Sequence, residues 1–433
     1  MSRKSKIGLA LSGGGYRAAG FHLGTLKKLN EMGILDKVHV ISSVSGGSIA
    51  SVFYLLHKDN FNEFYDSFEA ALQKSTVTKI LLSTGFIIKG LAVLLIIASL
   101  YCFLNWIPAT LYTIVLLILL FIFLYSFISF SDLAELAYKK IFFGDKKLVD
   151  LPFKPIAAIN SSNLETGTPF TFSKVRMGDS TYSVPDDGGE PIKFKVGDFP
   201  LSVAVAASAA VPFPFNPIKL YQKHFANPED YKKRAYPSLV DGGVYDNQGI
   251  HKLTVENSMY LCDIVICSDG SMPFEKKFYE FNPLPILTRV NNIMMNRIKN
   301  LQTERNVYRN STGKVDEIAF FSINWEYSQL IDDFMINLSQ GDVRESVLKA
   351  HNIPESYYDP KHFKYEEIKE IILRNINFAE ITKNKLSSEE IAKICKLKTA
   401  LNGLSKEEIE LLSRHASILT EIQVRIYCPS LIT

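Results

Sequence analysis

The chain has 433 residues, 47% of them hydrophobic and 12% aromatic, with a formal net charge of +3. That length can bury a substantial core in one large domain or two ordinary ones, and the near-balanced charge excludes the basic footprint of a nucleic-acid binder. The apolar content is high for a wholly soluble protein and points to a lipid-facing part.

Residues 1–6 are short and basic, but a strand and a glycine loop follow them rather than a signal-peptide core, so a cleaved secretory signal is not expected. Residues 7–11 read as a strand, 16–32 as a helix and 38–44 as a second strand, the strand-helix-strand unit of an α/β parallel sheet. Between the first strand and its helix stands Ser12-Gly13-Gly14-Gly15-Tyr16-Arg17. Three successive glycines leave backbone N–H groups unobstructed at a helix N-terminus, a place suited to a phosphate or to the oxyanion of acyl transfer. Arg17 adds a fixed positive charge or ties the loop down. Gly13, Gly15 and Ala18 also satisfy the GxGxxA dinucleotide fingerprint, but that fingerprint wants an acid at the end of the next strand. Ser42-Ser43-Val44-Ser45 stands there instead.

The end of this second strand carries Ser43-Val44-Ser45-Gly46-Gly47, ahead of an apolar helix over 49–56. The pattern is nearly the nucleophile elbow GxSxG, with Ser43 in place of the first glycine. A serine on such a strand-to-helix turn projects its hydroxyl, so Ser45 is the expected nucleophile.

Residues 85–104 are apolar apart from Lys89 and a few small or weakly polar positions, and 111–130 contain no charged residue. Each run is about 20 residues, the length that spans a hydrocarbon core as a helix. The short connector Asn105-Trp106-Ile107-Pro108 would join them as a hairpin. Lys74 and Lys79 before it and Lys139, Lys140, Lys146 and Lys147 after it place both ends in the cytoplasm. The expectation is a multi-pass, two-helix membrane protein with its catalytic part on the cytoplasmic side. The alternative for these runs is an apolar lid or a buried helix pair. Cys102, Cys262, Cys267, Cys395 and Cys428 form no CxxC pair, which fits reduced thiols in a cytosolic compartment.

The α/β style resumes with strands at 156–159 and 264–267 and a small-residue run at 203–210. Val240-Asp241-Gly242-Gly243 reads as a strand end holding a carboxylate on a tight turn. A serine must lose its proton to attack an ester, and a partly desolvated carboxylate with a raised pKa can take it. A Ser-His-Asp triad is the nearest rival. His251 and His415 lie late enough in the chain to serve it, though neither sits in a catalytic context. Arg289, Arg297, Lys299, Arg305 and Arg309 lie on a helix-like stretch that reads first as a solvated face and second as a contact for anionic headgroups. From about 353 onward the chain reads as amphipathic helices, with capping-type starts at Ser387 to Glu390 and Ser405 to Glu408.

Taken together, the glycine loop, the Ser45 elbow and the Asp241-Gly242-Gly243 turn resemble the three signature blocks of the patatin-like phospholipase family, in the family's order and of the bacterial type. His22 after the loop, residues 160–167, Ala206-Ala207-Ser208-Ala209-Ala210-Val211-Pro212 and Asn247 resemble smaller family features. The resemblance covers residues 5–80 and 150–270; the hydrophobic hairpin is not a core family feature. It implies a Rossmann-like three-layer α/β/α sandwich, here with an inserted transmembrane helical hairpin and a helical C-terminal region. The expected division is 1–80 and 132–345 as the two parts of the catalytic domain, 81–131 as the hairpin and 346–433 as the helical region.

The resemblance further implies a Ser-Asp dyad of Ser45 and Asp241, with an oxyanion hole at Gly13, Gly14 and Gly15. Arg17 would support that loop, Ser43, Gly46 and Gly47 would form the elbow, and Gly242 and Gly243 the turn, with no metal and no cofactor. The implied activity is that of a membrane-anchored serine acyl hydrolase, of phospholipase A or lysophospholipase type. Its substrate would be a membrane phospholipid, residues 85–130 would hold the bilayer, and a second copy or a regulatory protein would meet the C-terminal helices. The alternative is a catalytically silent, membrane-bound scaffold of the same fold.

Overall fold

The computed structural model describes residues 5–82, 84–103, 129–185, 188–274, 276, 283–305, 315–359, 363–399 and 401–432. Among them are eight strands: β1 (Ile7–Leu11), β2 (Val40–Ser43), β3 (Ile156–Asn163), β4 (Pro169–Phe172), β5 (Ile218–Lys219), β6 (Ser238–Asp241), β7 (Ile264–Asp269) and β8 (Glu317–Ser322). They build one sheet in the order β5-β6-β3-β2-β1-β7-β8, with β4 also paired to β3. The strands from β3 to β8 along this order are parallel, whereas β4 and β6 pair antiparallel with β3, and β5 with β6. The sheet is therefore mixed rather than wholly parallel. The short 164–168 connection cannot make the crossover that a parallel pair needs, so β4 returns alongside β3 in the opposite sense.

Side chains of the central strands alternate between two apolar layers, as a period of two dictates. Leu9 and Leu11 of β1, Ile264 and Ile266 of β7 and Phe321 of β8 join the larger core. Ala10, Val265, Cys267 and Phe320 point to a smaller core closed by Ile250, Leu253 and Tyr260. The larger core holds α1 (Gly15–Glu31), α2 (Gly46–Leu56) and α3 (Phe61–Leu72). After α3 come α4 (Thr76–Leu81), α5 (Thr84–Phe103), α6 (Phe130–Tyr138), α7 (Leu201–Ser208) and α8 (Pro283–Thr303).

The C-terminal helices α9 (Tyr327–Ser339), α10 (Tyr365–Asn375), α11 (Ser388–Cys395) and α12 (Lys406–Tyr427) share this same core through Phe334, Ile368, Ile391, Leu412 and Leu419. The capping boxes at Ser387/Glu390 and Ser405/Glu408 open α11 and α12. Helix α12 lies directly on α1: a side-chain carbon at Gly24 would stand 2.0 Å from the Ser413 carbonyl oxygen.

The first of the two long apolar runs forms α5, 20 residues long, with Ile87, Ile88, Leu91 and Leu95 exposed. The second run lies outside the described residues except for its last two positions, Ser129 and Phe130, and the Phe130 ring centroid is 6.3 Å from that of Phe86. Among the residues described with their side chains, no helix is long and apolar enough to cross a membrane. The hairpin is thus not part of the described fold.

Because α1 and α12 touch backbone to backbone at Gly24, Gly24→Val is expected to destabilise the whole fold by about 1–3 kcal/mol through overpacking. Denaturant unfolding of wild type and variant measures this. A change under about 0.5 kcal/mol, the ordinary range for surface substitutions, would show that the tail does not pack there.

Candidate active site

Ser45 is the residue between β2 and α2, with φ 50° and ψ −117°, a conformation that L side chains rarely adopt. The turn is held on several sides. The Ser45 N–H donates to Ser208 Oγ at 3.0 Å, and Ser208 Oγ donates to the Asn160 carbonyl at 2.7 Å. Asn160 Nδ2 reaches back to Ser42 Oγ and to the Ser43 carbonyl at 2.9 and 3.2 Å. Ser43, standing where the elbow pattern wants glycine, fits because its hydroxyl accepts from Ser48 and Ser51 of α2 at 3.2 and 2.8 Å. Gly46 and Gly47 are required by close approach. Side-chain carbons there would stand 2.1 Å from the Gly15 carbonyl oxygen and 2.3 Å from that of Leu11.

The glycine loop is anchored from below. Ser12 Oγ accepts the Gly270 N–H at 2.8 Å, and His22 bridges the Ser12 carbonyl and Ser268 Oγ at 2.9 Å each. Burial pushes His22 down to about 4, against the pull of the Ser12 carbonyl and Asp269. The ring is therefore neutral, and the network assigns its proton to Nε2, facing Ser12. Buried Arg17 donates through Nε to the Gly270 carbonyl at 3.1 Å and through Nη1 to the Leu397 carbonyl at 2.7 Å. Its Nη2, without a hydrogen-bond partner among the described residues, lies 3.1 Å from where a side-chain carbon of Gly14 would stand.

The three glycines divide their work. The Gly13 N–H donates to the Asn247 carbonyl at 2.9 Å and so is spent on anchoring, which corrects its expected place in an oxyanion hole. Gly14, at φ 145°, and Gly15 open α1, and their N–H groups have no partner among the described residues. A side-chain carbon at Gly13 would also stand 3.3 Å from Ser45 Cβ, so the loop and the serine are immediate neighbours.

Asp241 ends β6, beside Ser161 of β3. Its N–H donates to the Ala210 carbonyl at 2.8 Å and that of Gly242 to the Ser208 carbonyl at 3.2 Å, so the end of α7 holds both the serine turn and the acid turn. Asp241 Oδ1 accepts the Gly243 N–H at 2.7 Å, and the Ser45 side chain stands near enough to the carboxylate to pull its pKa down. Ser45 and Asp241 are only 7% and 6% exposed. Burial pushes the Asp241 carboxyl up from 3.8 to about 6, although the Gly243 N–H and the Ser45 hydroxyl both pull it down. Asn247 stands between the loop and this turn: its Oδ1 would be 2.4 and 2.6 Å from side-chain carbons at Gly13 and Gly243.

The two histidines of the rival triad are placed elsewhere. His415 bonds Tyr327 and the Ile323 carbonyl at 2.6 and 2.9 Å, and the His251 N–H caps Asp246 at 2.8 Å. Sequence reading noted the blocks around Asn160 and Ser208 as family features but gave them no role. Both are short polar residues whose work is to hold backbone, and only their position behind Ser45 reveals it.

Compared with known proteins, the chain matches the family model described as patatin-like phospholipase over residues 9–254. No curated protein matches it. Among solved structures, human GIVD cytosolic phospholipase A2 in complex with methyl gamma-linolenyl fluorophosphonate inhibitor and terbium chloride is 15% identical. The match has a TM-score of 0.48 and covers 98% of this chain and 59% of that one. A second structure of the human protein, 15% identical with a TM-score of 0.40, is matched over 69% of this chain and 49% of that one. VipD from Legionella pneumophila is 12% identical, with a TM-score of 0.33, covering 96% and 92%. The chain thus spans between 49% and 59% of the length of the human structures it matches.

Since the folded-state pKa of Asp241 lies above its unfolded value, the cost of burying the charge is absent below about pH 4 and is complete above about pH 6. Asp241→Asn is therefore expected to be more stable than wild type at pH 8 by about 1–3 kcal/mol, with the advantage vanishing below about pH 4. Denaturant midpoints at both pH values test this; an advantage independent of pH would contradict it.

Proposed function

The chain belongs to the patatin-like phospholipase family, and from that premise we propose that it hydrolyses acyl esters of membrane lipids with Ser45 as nucleophile and Asp241 as base. The observation that carries this reading is the buried Asp241 carboxylate with the Ser45 side chain near enough to lower its pKa, next to Gly14 and Gly15, whose amides have no partner among the described residues.

In this mechanism Ser45 Oγ attacks the acyl carbonyl carbon as its proton passes to Asp241. The carbonyl oxygen becomes an oxyanion and receives the N–H groups of Gly14 and Gly15, at the positive end of α1. Collapse expels the glycerol-side oxygen, which takes the proton back from Asp241 and leaves as the lysolipid. Asp241 then deprotonates a water that attacks the acyl-serine, and fatty acid and free Ser45 result. Arg17 fixes the loop and adds positive charge behind it. A base near pKa 6 suits this work, since it is ionised at neutral pH yet still basic enough to take a proton. No histidine is needed.

Residues 85–130 serve as the membrane anchor in this proposal, with the catalytic part on the cytoplasmic side. Two observations favour it. The exposed apolar side chains of α5 have no place in water as a group. The ring contact of Phe86 with Phe130 brings the two ends of the insertion together, as an anchor attached from one side requires. The flanking lysines suit a cytoplasmic side. Such an anchor would keep the pocket beside a substrate that is nearly absent from water, raising its effective concentration.

Ser45→Ala and Asp241→Asn are each expected to lower hydrolysis of a soluble ester by at least about 10³-fold and to abolish labelling by a fluorophosphonate for Ser45→Ala. His251→Ala and His415→Ala keep most of the activity. Activity that survives Asp241→Asn would remove Asp241 from the mechanism. Wild-type kcat/KM should fall about tenfold per pH unit below about 6 and level off above it, because only the ionised carboxylate accepts the proton. Separately, the protein should remain in the membrane pellet after alkaline carbonate extraction. Release into the supernatant would refute the anchor while leaving the hydrolase reading untouched.

A further inference from the structure

Helix α8 is seated with its faces reversed. A surface helix of a globular protein buries its apolar stripe and shows its polar face to water. In α8 the residues that reach the protein are Met295, Lys299 and Gln302, at i, i+4 and i+7. The Met295 methyl lies 3.2 Å from where a side-chain carbon of Gly243 would stand, which puts it over the Asp241 turn. Lys299 pairs with buried Asp269 at 2.5 Å, and the Gln302 side chain lies near enough to Asp246 to lower its pKa. The outward face carries Ile286, Leu287, Val290, Ile293, Met294 and Leu301, each between 37% and 54% exposed. Their spacing of i, i+1, i+4, i+7, i+8 and i+15 places all six on one side of the helix.

We propose that this outward face of α8 is the surface by which the active site docks onto an anionic bilayer, a reading that rests on the lipid hydrolase assigned above. Charge favours a membrane over another protein surface. The helix contains no Asp or Glu and carries Arg289, Arg297 and Lys299. Exposed Arg297 falls within the apolar stripe, where its stem can run along the acyl boundary while the guanidinium reaches a phosphate. Arg289 packs 3.7 Å over the ring of Phe274, itself exposed, and Met272 extends the apolar surface along the preceding segment. Apolar side chains flanked by cations and free of acids are what the interfacial layer of an anionic membrane accepts.

Position gives the docking a purpose. The same helix that shows its apolar side outward roofs the turn that holds Asp241. A lipid that leaves the bilayer beside α8 is therefore beside the Asp241 turn, and its ester need not cross water. The polar inward face, clamped by the Lys299–Asp269 pair, keeps the helix from turning its apolar side into the protein.

The test uses the full chain reconstituted in phosphatidylcholine vesicles with and without phosphatidylglycerol, comparing wild type with a variant combining Leu287→Ser, Val290→Ser and Met294→Ser. Turnover of vesicle lipid should fall at least about tenfold in the variant, while turnover of a short-chain soluble ester stays within about twofold. Arg289→Gln with Arg297→Gln should cut the preference for phosphatidylglycerol by about fivefold per charge. Amides of residues 283–303 should exchange with deuterium more slowly in vesicles than in detergent for wild type, and equally for the triple variant. Equal losses on vesicles and soluble ester, no loss on either, or unprotected amides would each overturn the proposal. So would a variant that loses self-association yet keeps vesicle turnover, since the face would then bind a second copy. If wild type hydrolyses neither substrate, the hydrolase reading fails, and the exchange experiment judges the docking surface alone.

Discussion

Helix α2 lies so close over the glycine loop that a side-chain carbon at Gly46 would stand 2.1 Å from the Gly15 carbonyl oxygen. That contact fixes where α2 begins, and with it the strained turn at Ser45, whose φ of 50° would relax if the helix could move back. Ser208 takes the Ser45 N–H, which would otherwise be buried and unpaired, and the carbonyl of the same residue takes the N–H of Gly242. Serine, acid and glycine loop are therefore not three separately placed groups. They are edges of one backbone packing arrangement, in which a shift of any one pulls a hydrogen bond from another.

Three buried aspartates, Asp241 at the end of β6, Asp246 just after it and Asp269 at the end of β7, show how the surroundings assign work to the same side chain. Burial would raise Asp269, but Lys299 and Ser271 hold it down to about 2, so it is a fixed charge. Burial raises Asp246 to about 6, yet its two oxygens are occupied by the N–H groups of Gln248 and His251. Asp241 is also raised to about 6 and has fewer holders: one N–H, with the Ser45 side chain close by. A carboxylate without a cation beside it, and with a hydroxyl-bearing side chain close by, is the one suited to exchange a proton.

The apolar excess of the composition is concentrated at two places that the core does not absorb, α5 and the outward side of α8. The region around α5 is mechanically close to the chemistry. Tyr16, within the glycine loop motif, bonds Thr76 at the start of α4 at 2.7 Å, and α6, which follows the insertion, meets α7 where Ser202 donates to Glu135 at 2.5 Å. Ser208, which supports Ser45, ends α7. Thr76 and Glu135, on either side of the insertion, are thus tied to elements that carry the glycine loop and hold Ser45.

Sequence alone determined what depends on neighbours along the chain. The β1–α1–β2 unit, the glycine loop, the serine turn and the Asp-Gly-Gly turn were legible because each is a local backbone requirement written in small residues at fixed spacing. The capping boxes of α11 and α12 were legible for the same reason. Tertiary structure alone decided which groups meet. It spent the Gly13 N–H on Asn247, gave Ser208 and Asn160 their supporting place, and turned β4 and β6 antiparallel to β3. It also laid α12 on α1 through Gly24 and seated α8 with its polar side inward. Periodicity reports that a helix has an apolar side. Which way that side points is set by what the rest of the chain leaves for it to touch, and no local pattern carries that information.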